Sequence, residues 1–471
     1  MWTNAITRSS NIRTSALALL GGLLFTAPVV ADGWNTGAGG NPARTSLSSE
    51  IGPQLPEILW QGSVPAQVAQ QAVTDGPVVV MARMTSLADT LHGTRIVAHD
   101  LNTGAVLWNT ELPVDFAATD WRSRVSAMRN GLVFATRARN TNMSFLYALY
   151  VADGSVAWRS TNLVDESSTE SLTFTSDGDL IVGNFTTLSR LRAADGTTVW
   201  SSPRACPTTD GCSAAVFGET VYAWEASPQG PRVVAFDAAT GARRYATPGI
   251  GGGFVQQLGL LVGPDGTVFA PRTQNNAATD YFVAFDDTGT AFVERWRTPL
   301  GYVPFATFGV GPDGSVYLYS PAREIVRLRG DDGSELDRSG VIMSDFHQPR
   351  IAIGADGIIY YTNGGFSQGR VYSFNADLSE RWSLPLANVN VGGPALGADG
   401  VLVVCGTGTN VLALRSPPTC PADWNADNAV NSQDLFDFLT SFFAGDADFN
   451  ADGVSNSQDF FDYLAAFFQG C

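Results

Sequence analysis

Val97-Ala98-His99-Asp100-Leu101-Asn102-Thr103-Gly104-Ala105-Val106-Leu107-Trp108 reads as a β-strand, a tight turn and a second strand that ends on a large aromatic. Gly104 supplies the positive φ that a two-strand reversal needs. The phrase recurs along the chain. Leu149 to Trp158 carries Asp153-Gly154, Leu191 to Trp200 carries Asp195-Gly196, and Ala235 to Tyr245 carries Thr240-Gly241. Ala284 to Trp296 carries Thr288-Gly289 with a longer second arm. Leu328 to Asp337 keeps Asp332-Gly333 without the aromatic, and Ser373 to Trp382 keeps the Trp without the Gly. Self-similarity at roughly 40 to 50 residues outranks local propensity, because it decides the architecture.

A second phrase interleaves with the first: a turn, then a β-rich run. It occurs at Asp75-Gly76, Asn130-Gly131, Asp177-Gly178, Gly218-Glu219, Asp265-Gly266, Asp313-Gly314, Asp356-Gly357 and Asp399-Gly400. Apart from Gly218-Glu219, these are hairpin signals leading into β-branched and aromatic residues. Two hairpin turns per period give four strands per period, which is a propeller blade. Eight copies of the second phrase stand against seven of the first, because Val411-Leu412-Ala413-Leu414 ends the last period without a Trp strand. Glu57-Ile58-Leu59-Trp60 supplies it from the other end of the chain. The expectation is therefore an all-β, eight-bladed β-propeller closed non-covalently, with no open sheet edge at the seam.

The repeat Ala-x-Asp-x-x-Thr-Gly-x-x-x-Trp, complete at Ala98, Asp100, Thr103, Gly104 and Trp108, resembles the pyrroloquinoline-quinone-type propeller repeat. Trp34, Gly40, Asn41, Arg44 and Ser46 resemble the N-terminal peptide that often precedes such rings. The resemblance covers residues 34 to 416 and implies the fold; most propellers with this repeat are thought not to bind the quinone.

Residues 1–31 read as a secretory signal peptide. Arg8 and Arg13 form a basic start, Ala16 to Val30 is apolar, and Val29-Val30-Ala31 fits a small-residue cleavage site. The apolar run is short and carries Gly21, Gly22 and Pro28, which disfavours a membrane anchor. Residues 32–416 form the propeller, 417–419 a linker and 420–471 a separate module. The protein is expected to be secreted, periplasmic or at the cell surface, with no transmembrane segment.

Charged residues make up 15% of the chain and Gly 49 positions, as tight turns require. All 28 basic residues are Arg, which excludes Schiff-base catalysis and any phosphate loop that needs Gly-Lys. A net charge of −17 makes nucleic acid an unsuitable partner. The five Cys fit an oxidising compartment: Cys206 with Cys212 and Cys420 with Cys471 are expected disulfides, and Cys405 an inert buried thiol.

Residues 420–471 contain nine Asp and no Lys, Arg or Glu. One pattern occurs there twice, offset by 25 residues: Asp423, Asn425, Asp427, Asn431, Asp434, then Asp448, Asn450, Asp452, Asn456, Asp459. Oxygen side chains at positions 1, 3, 5, 9 and 12, with the carbonyls of Ala429 and Val454 at position 7, are what a hard cation with six to eight ligands takes. Asn428 and Gly453 provide the sharp turn at position 6. A helix follows each loop. Leu435, Phe436, Phe438, Leu439, Phe442 and Phe443, matched by Phe460, Phe461, Tyr463, Leu464, Phe467 and Phe468, make one broad apolar face through which the helices should pack. Two calcium ions are the expected cofactors.

This tail resembles a dockerin, the paired EF-hand-like calcium module that plugs into a cohesin, and most closely the short variant ending in Gly-Cys, here Gly470-Cys471. It departs from dockerins of cellulose-degrading complexes, which carry basic residues where this chain has Phe438-Leu439-Thr440 and Tyr463-Leu464-Ala465. The resemblance implies a cohesin-like receptor by analogy alone.

The reading that follows is an exported, non-catalytic interaction or scaffold protein. The ring binds a protein or glycan of the envelope or matrix, and the tail attaches it to a larger assembly. A glycoside hydrolase of polysaccharide breakdown and a quinone-dependent dehydrogenase are the alternatives. The chain has no adjacent Cys pair of the kind such dehydrogenases place against the quinone, so pyrroloquinoline quinone is not expected as a cofactor. Hydrolysis needs a carboxylate pair across the bond, yet most Asp sit in turns that they stabilise. His92, His99 and His347 are the only histidines, too few for a supported triad or zinc site, and no catalytic residue is assigned.

Overall fold

The structure is a computed structural model that describes residues 33–470 except 37–38, 63, 69, 85–92, 117–121, 139–142, 166–171, 207–213, 251–258, 273–279, 302–306, 346–347, 418–419, 426–428 and 451–452. The expected signal peptide (residues 1–31), His92, His347, Asp427, Asn428, Asp452 and one cysteine of each expected disulfide (Cys212, Cys471) lie outside the described residues.

Eight four-stranded antiparallel sheets form the ring, and the expected eight-bladed propeller is what the chain builds. Blade one comprises Val73–Asp75, Val78–Arg83, Arg95–Asp100 and Val106–Thr110. In the last blade, Pro394–Leu396, Leu402–Cys405 and Val411–Arg415 are completed by the N-terminal strand Glu57–Gln61. Its register is Glu57 with Arg415, Ile58 with Leu414 and Trp60 with Ala413. Arg83, wholly buried, fastens this seam: it donates to the carbonyls of Val64 (3.0 Å), Gly406 (3.1 Å) and Gly408 (2.6 Å).

Each repeat turn is fixed by its own Asp. Asp100 Oδ1 accepts from Asn102 N (3.1 Å), Thr103 N (2.8 Å) and Thr103 Oγ1 (2.8 Å), and the Thr103 bonds hold its pKa below the usual carboxylate value. Gly104 follows at φ 71°. Glycine is needed there for a second reason: a Cβ would stand 2.6 Å from the ring of Trp60, which lies over the turn from the preceding blade. Trp108 lies likewise over Gly154, Trp158 over Gly196, Trp200 over Gly241 and Trp296 over Gly333. Each of these indoles donates to a carbonyl of the next blade, as Trp108 Nε1 does to Val151 O at 2.7 Å. The repeat Trp is thus a lock between blades, combining ring burial with a satisfied N–H.

The exceptions follow from the same geometry. Asp337 stands where blade six should carry its Trp, and the turn of blade seven that it would cover has Leu378, at φ 65°, in place of Gly. With no ring above it, a Cβ fits. Trp382 of blade seven faces the seam, where no covalent turn joins the third and fourth strands, and its Nε1 is buried without an acceptor.

The first strands of successive blades contact one another and form the inner wall of the ring. Their inner edges carry unpaired amides, a cost the N-terminal segment removes. Trp34 N donates to Leu396 O (3.1 Å); Thr74, Met128, Val216, Val262, Val310 and Ile353 donate their N–H groups to the carbonyls of Trp34, Asn35, Pro42, Ala43, Thr45 and Ser46 at 2.7–3.0 Å. Thr173 Oγ1 reaches Pro42 O at 3.2 Å. One short segment thereby touches every blade. Its carbonyls point outward because Arg44 (φ 62°) and Ser46 (φ 58°) adopt the left-handed region, and Asn41 braces the bend through Thr45 Oγ1 and Leu47 O.

His99 is structural: buried, stacked on Trp60 with ring centroids 5.7 Å apart, and bonded through Nδ1 to Gly104 O at 2.9 Å. Burial holds its pKa below the ordinary value. Cys405 is wholly buried, 3.8 Å from Met81 Sδ, and burial pushes its thiol up to about 11, so it is the inert thiol expected. Among the described residues no helix is long and apolar enough to cross a membrane.

Candidate functional site

The tail holds two helices, α1 (Ser432–Ala444) and α2 (Ser457–Gln469). Asn431 and Asn456 cap them: each side-chain oxygen accepts the N–H two residues on, from Gln433 and Gln458, at 2.8 Å. Asp434 and Asp459 complete reciprocal capping boxes by accepting from the backbone N–H of those same Asn residues.

Both carboxylates also reach back across their loops. Asp434 takes Asn431 N on one oxygen (2.9 Å) and Asn425 N on the other (3.2 Å). Asp459 takes Asn456 N (2.7 Å) and Asn450 N (3.1 Å) in the same way. Each is fully buried. Burial pushes the Asp434 carboxyl up, but the N–H groups of Asn431 and Asn425 outweigh it, and the pKa lies below the ordinary value. The N–H of Asn456 does the same for Asp459 against its burial. A carboxylate oxygen that accepts one N–H keeps a second acceptor site, so both remain able to bind a cation.

The rest of each loop repeats as closely. Asn425 and Asn450 donate Nδ2 to Asp437 and Asp462 at 3.3 Å, and Gly453 N donates to Asp448 Oδ2 at 2.8 Å across the turn. Asn431 and Asn456 steady the carbonyls of Ala429 (2.9 Å) and Val454 (3.1 Å) through Nδ2. The donor set is all oxygen, anionic, and without a cationic side chain in residues 420–471, which suits a hard divalent ion. Among the described residues no three His, Cys, Asp or Glu side chains assemble into a metal-binding group. The third acid of each loop, Asp427 or Asp452, falls outside them.

Phe438 and Tyr463 stack face to face across the helices, centroids 3.9 Å apart, with Trp424 and Phe449 edge-on. Here the structure corrects the broad apolar face. Only a narrow stripe is buried, while Phe436 and Phe461 are about 60% exposed and Phe443 and Phe468 about 80% exposed. Two short helices meeting along one line bury one stripe each, and positions two before or one after the contact residue point away.

In the ring, the aromatic lock is replaced between blades four and five. Tyr245 stands in the Trp position, and Tyr222 and Tyr245 both donate to Asp287, at 2.6 and 2.5 Å. A groove of about 310 Å³ remains, which the sequence reading did not single out. Its signal was the substitution of Tyr for Trp, followed by a turn two residues longer than in blade one: Ala284 pairs with Trp296, whereas Ala98 pairs with Trp108.

A family model described as outer membrane protein assembly factor BamB matches residues 92–339, just over half of the chain. The chain belongs to the BamB family. The family match ends before the tail. Among solved structures, BamB from Moraxella catarrhalis is similar at TM-score 0.53 and 16% identity, over 76% of this chain and 99% of that one. A quinohemoprotein alcohol dehydrogenase from Comamonas testosteroni is similar at TM-score 0.56 and 14% identity, over 85% of both chains. The C-terminal WD40 domain of Sif2 gives TM-score 0.53 and 9% identity, over 78% of this chain and 99% of that one. At such identities these likenesses show a shared fold and nothing about chemistry. A search of curated protein sequences found no match.

Proposed function

We propose that this chain is an exported, non-catalytic interaction protein of the cell envelope or extracellular matrix. Its ring engages a protein or glycan, and its dockerin-like tail attaches it, with two calcium ions bound, to a larger assembly. The observation that carries the reading is the duplicated loop of the tail. Two buried carboxylates, each ionised by backbone N–H groups and lacking a cationic side chain in the module, are built into identical frames 25 residues apart. Membership of a family described as an assembly factor supports a ring that works by contact with other molecules. The N-terminal segment supports it too, since the amides it binds along the inner wall are not available to a small ligand.

Calcium, when bound, supplies the positive charge that the acidic loops lack. Asp423, Asn425, Asp427, Ala429, Asn431 and Asp434 would hold one ion, and Asp448, Asn450, Asp452, Val454, Asn456 and Asp459 the other. The exposed pairs Phe436 with Phe443 and Phe461 with Phe468 give the tail apolar surface for a receptor. The test is retention of the purified chain on native envelope fractions. The full chain should bind in calcium and elute on chelation, and a chain ending at Arg415 should not bind. Retention that ignores both calcium and the tail overturns the proposal.

A further inference from the structure

We propose that the groove between blades four and five is a subsite for one neutral sugar unit of a polysaccharide. The inference rests on the reading of the ring as a binding module and names its ligand class and place.

The groove lies at one of the junctions where the Trp lock is absent. At five junctions a Trp ring covers the turn glycine of the next blade, but a Cβ on Gly289 would meet nothing within 4 Å. Tyr245 packs instead edge-on against Phe292, centroids 5.1 Å apart, which draws its ring away from the turn. The space left, about 310 Å³, is at the small end of ligand pockets and suits a single ring-sized group.

Its walls are polar groups held rigid by one another. Asp287 is fixed by both tyrosine hydroxyls and by Gly289 N at 2.8 Å. Arg295 is clamped to Asp286 at 2.5 Å and reaches Asp265 at 3.4 Å; Arg244 is bound to Asp237 and to Thr220. Asp265 is more than half exposed at the rim, and Phe217 offers a partly exposed ring beside it. Three carboxylates against two guanidinium groups leave the lining negative, which repels phosphate, sulfate and uronate. Both guanidinium groups are already engaged by carboxylates, so neither is free to clamp an anion. What remains is a set of fixed acceptors and spare N–H donors around an aromatic wall. Hydroxyl groups that both donate and accept match it, with the C–H face of a sugar against Phe217 or Tyr245.

The test uses the full chain and saturation-transfer NMR with three probes, cellohexaose, xylohexaose and mannohexaose, against glucuronate and inorganic phosphate as anionic controls. At least one neutral oligosaccharide should bind and the anions should not. Tyr245→Trp, which carries a larger ring into the groove, and Asp265→Ala, at the exposed rim, should each weaken binding by at least about tenfold. Asp265→Ala decides the matter if the Trp variant fails to fold. Binding should survive calcium chelation, so a failure here is separate from a failure of the tail to attach. No neutral probe bound at about 10 mM, a range where weak sugar sites register, or equal binding by Asp265→Ala and the parent chain, overturns the proposal.

Discussion

Gly154 and Gly289 are turn glycines of blades two and five, both with positive φ (70° and 79°), yet different physics holds them there. Beside Gly154 an added Cβ meets Trp108 and Thr110 Oγ1 at 2.5 Å; beside Gly289 it meets open space. Gly154→Ala combines a left-handed backbone penalty with a clash against an interblade ring, about 3 kcal/mol in all. Gly289→Ala incurs the backbone penalty alone, about 1 kcal/mol. Denaturant midpoints of the two variants should separate accordingly, and equal losses would mean the Trp lock has no part in holding the blades together. The Leu378 turn already shows the principle, because the chain gave up the glycine where Asp337 had replaced the covering Trp. The glycines themselves were legible in the sequence as turn residues. That Gly104, Gly154, Gly196, Gly241 and Gly333 also make room for a ring one repeat earlier was not, since periodicity records spacing within a blade and not contact between blades. The groove at Tyr245 escaped the sequence reading for the same reason.

The N-terminal segment and the strand that follows it do different jobs. Glu57–Gln61 pairs as an ordinary outer strand, so counting turns was enough to assign it. The segment from Trp34 to Ser46 has no strand pattern, and a family resemblance alone marked it. Its structure shows why those residues recur together: Trp34 covers Gly40, Asn41 braces the bend, and Arg44 and Ser46 turn alternate carbonyls outward. The helices of the tail were legible as helices because the same apolar residues recur at helical spacing after each loop. Which part of their apolar stripe is buried was not, because a stripe this wide has more than one way to meet a partner. Removing residues 33–50 while keeping 57–61 should leave the ring closed but strip partners from the inner-strand amides. At a net value of about 1 kcal/mol for each lost bond, several kcal/mol of stability should go. Hydrogen exchange offers the direct measurement: the amides of Met128, Val216, Val262 and Val310 should lose protection, while those in second and third strands keep it. Unchanged protection at these four would show that the segment only rests on the ring.

More than half of the net charge of −17 lies in residues 420–471, so the molecule joins a ring that folds on apolar packing to a module that electrostatics opposes. The segment carries nine aspartates, and its core among the described residues is little more than Phe438, Tyr463, Ala447 and their partly buried neighbours. A core so small cannot carry a domain of this size against like-charge repulsion without help from a metal, a disulfide or a partner. On the proposed reading calcium would replace that repulsion with ligand bonds, so binding and folding are expected to be one event. Position 12 is Asp in both loops, shorter than the Glu of tight intracellular sites, and the affinity should fall on the order of micromolar to millimolar, as extracellular modules show. Circular dichroism of isolated residues 420–471 should therefore show helix signal rising with calcium and falling on chelation. Asp434→Ala together with Asp459→Ala should abolish the response, because each removes both the proposed last ligand of its loop and the group that ties the loop to the helix cap. Each single variant should retain half of it if the loops act separately, and almost none if the Phe438–Tyr463 stack couples them. A tail equally helical with and without calcium would mean that the aromatic stack holds the helices unaided and that the acidic loops serve something other than a metal.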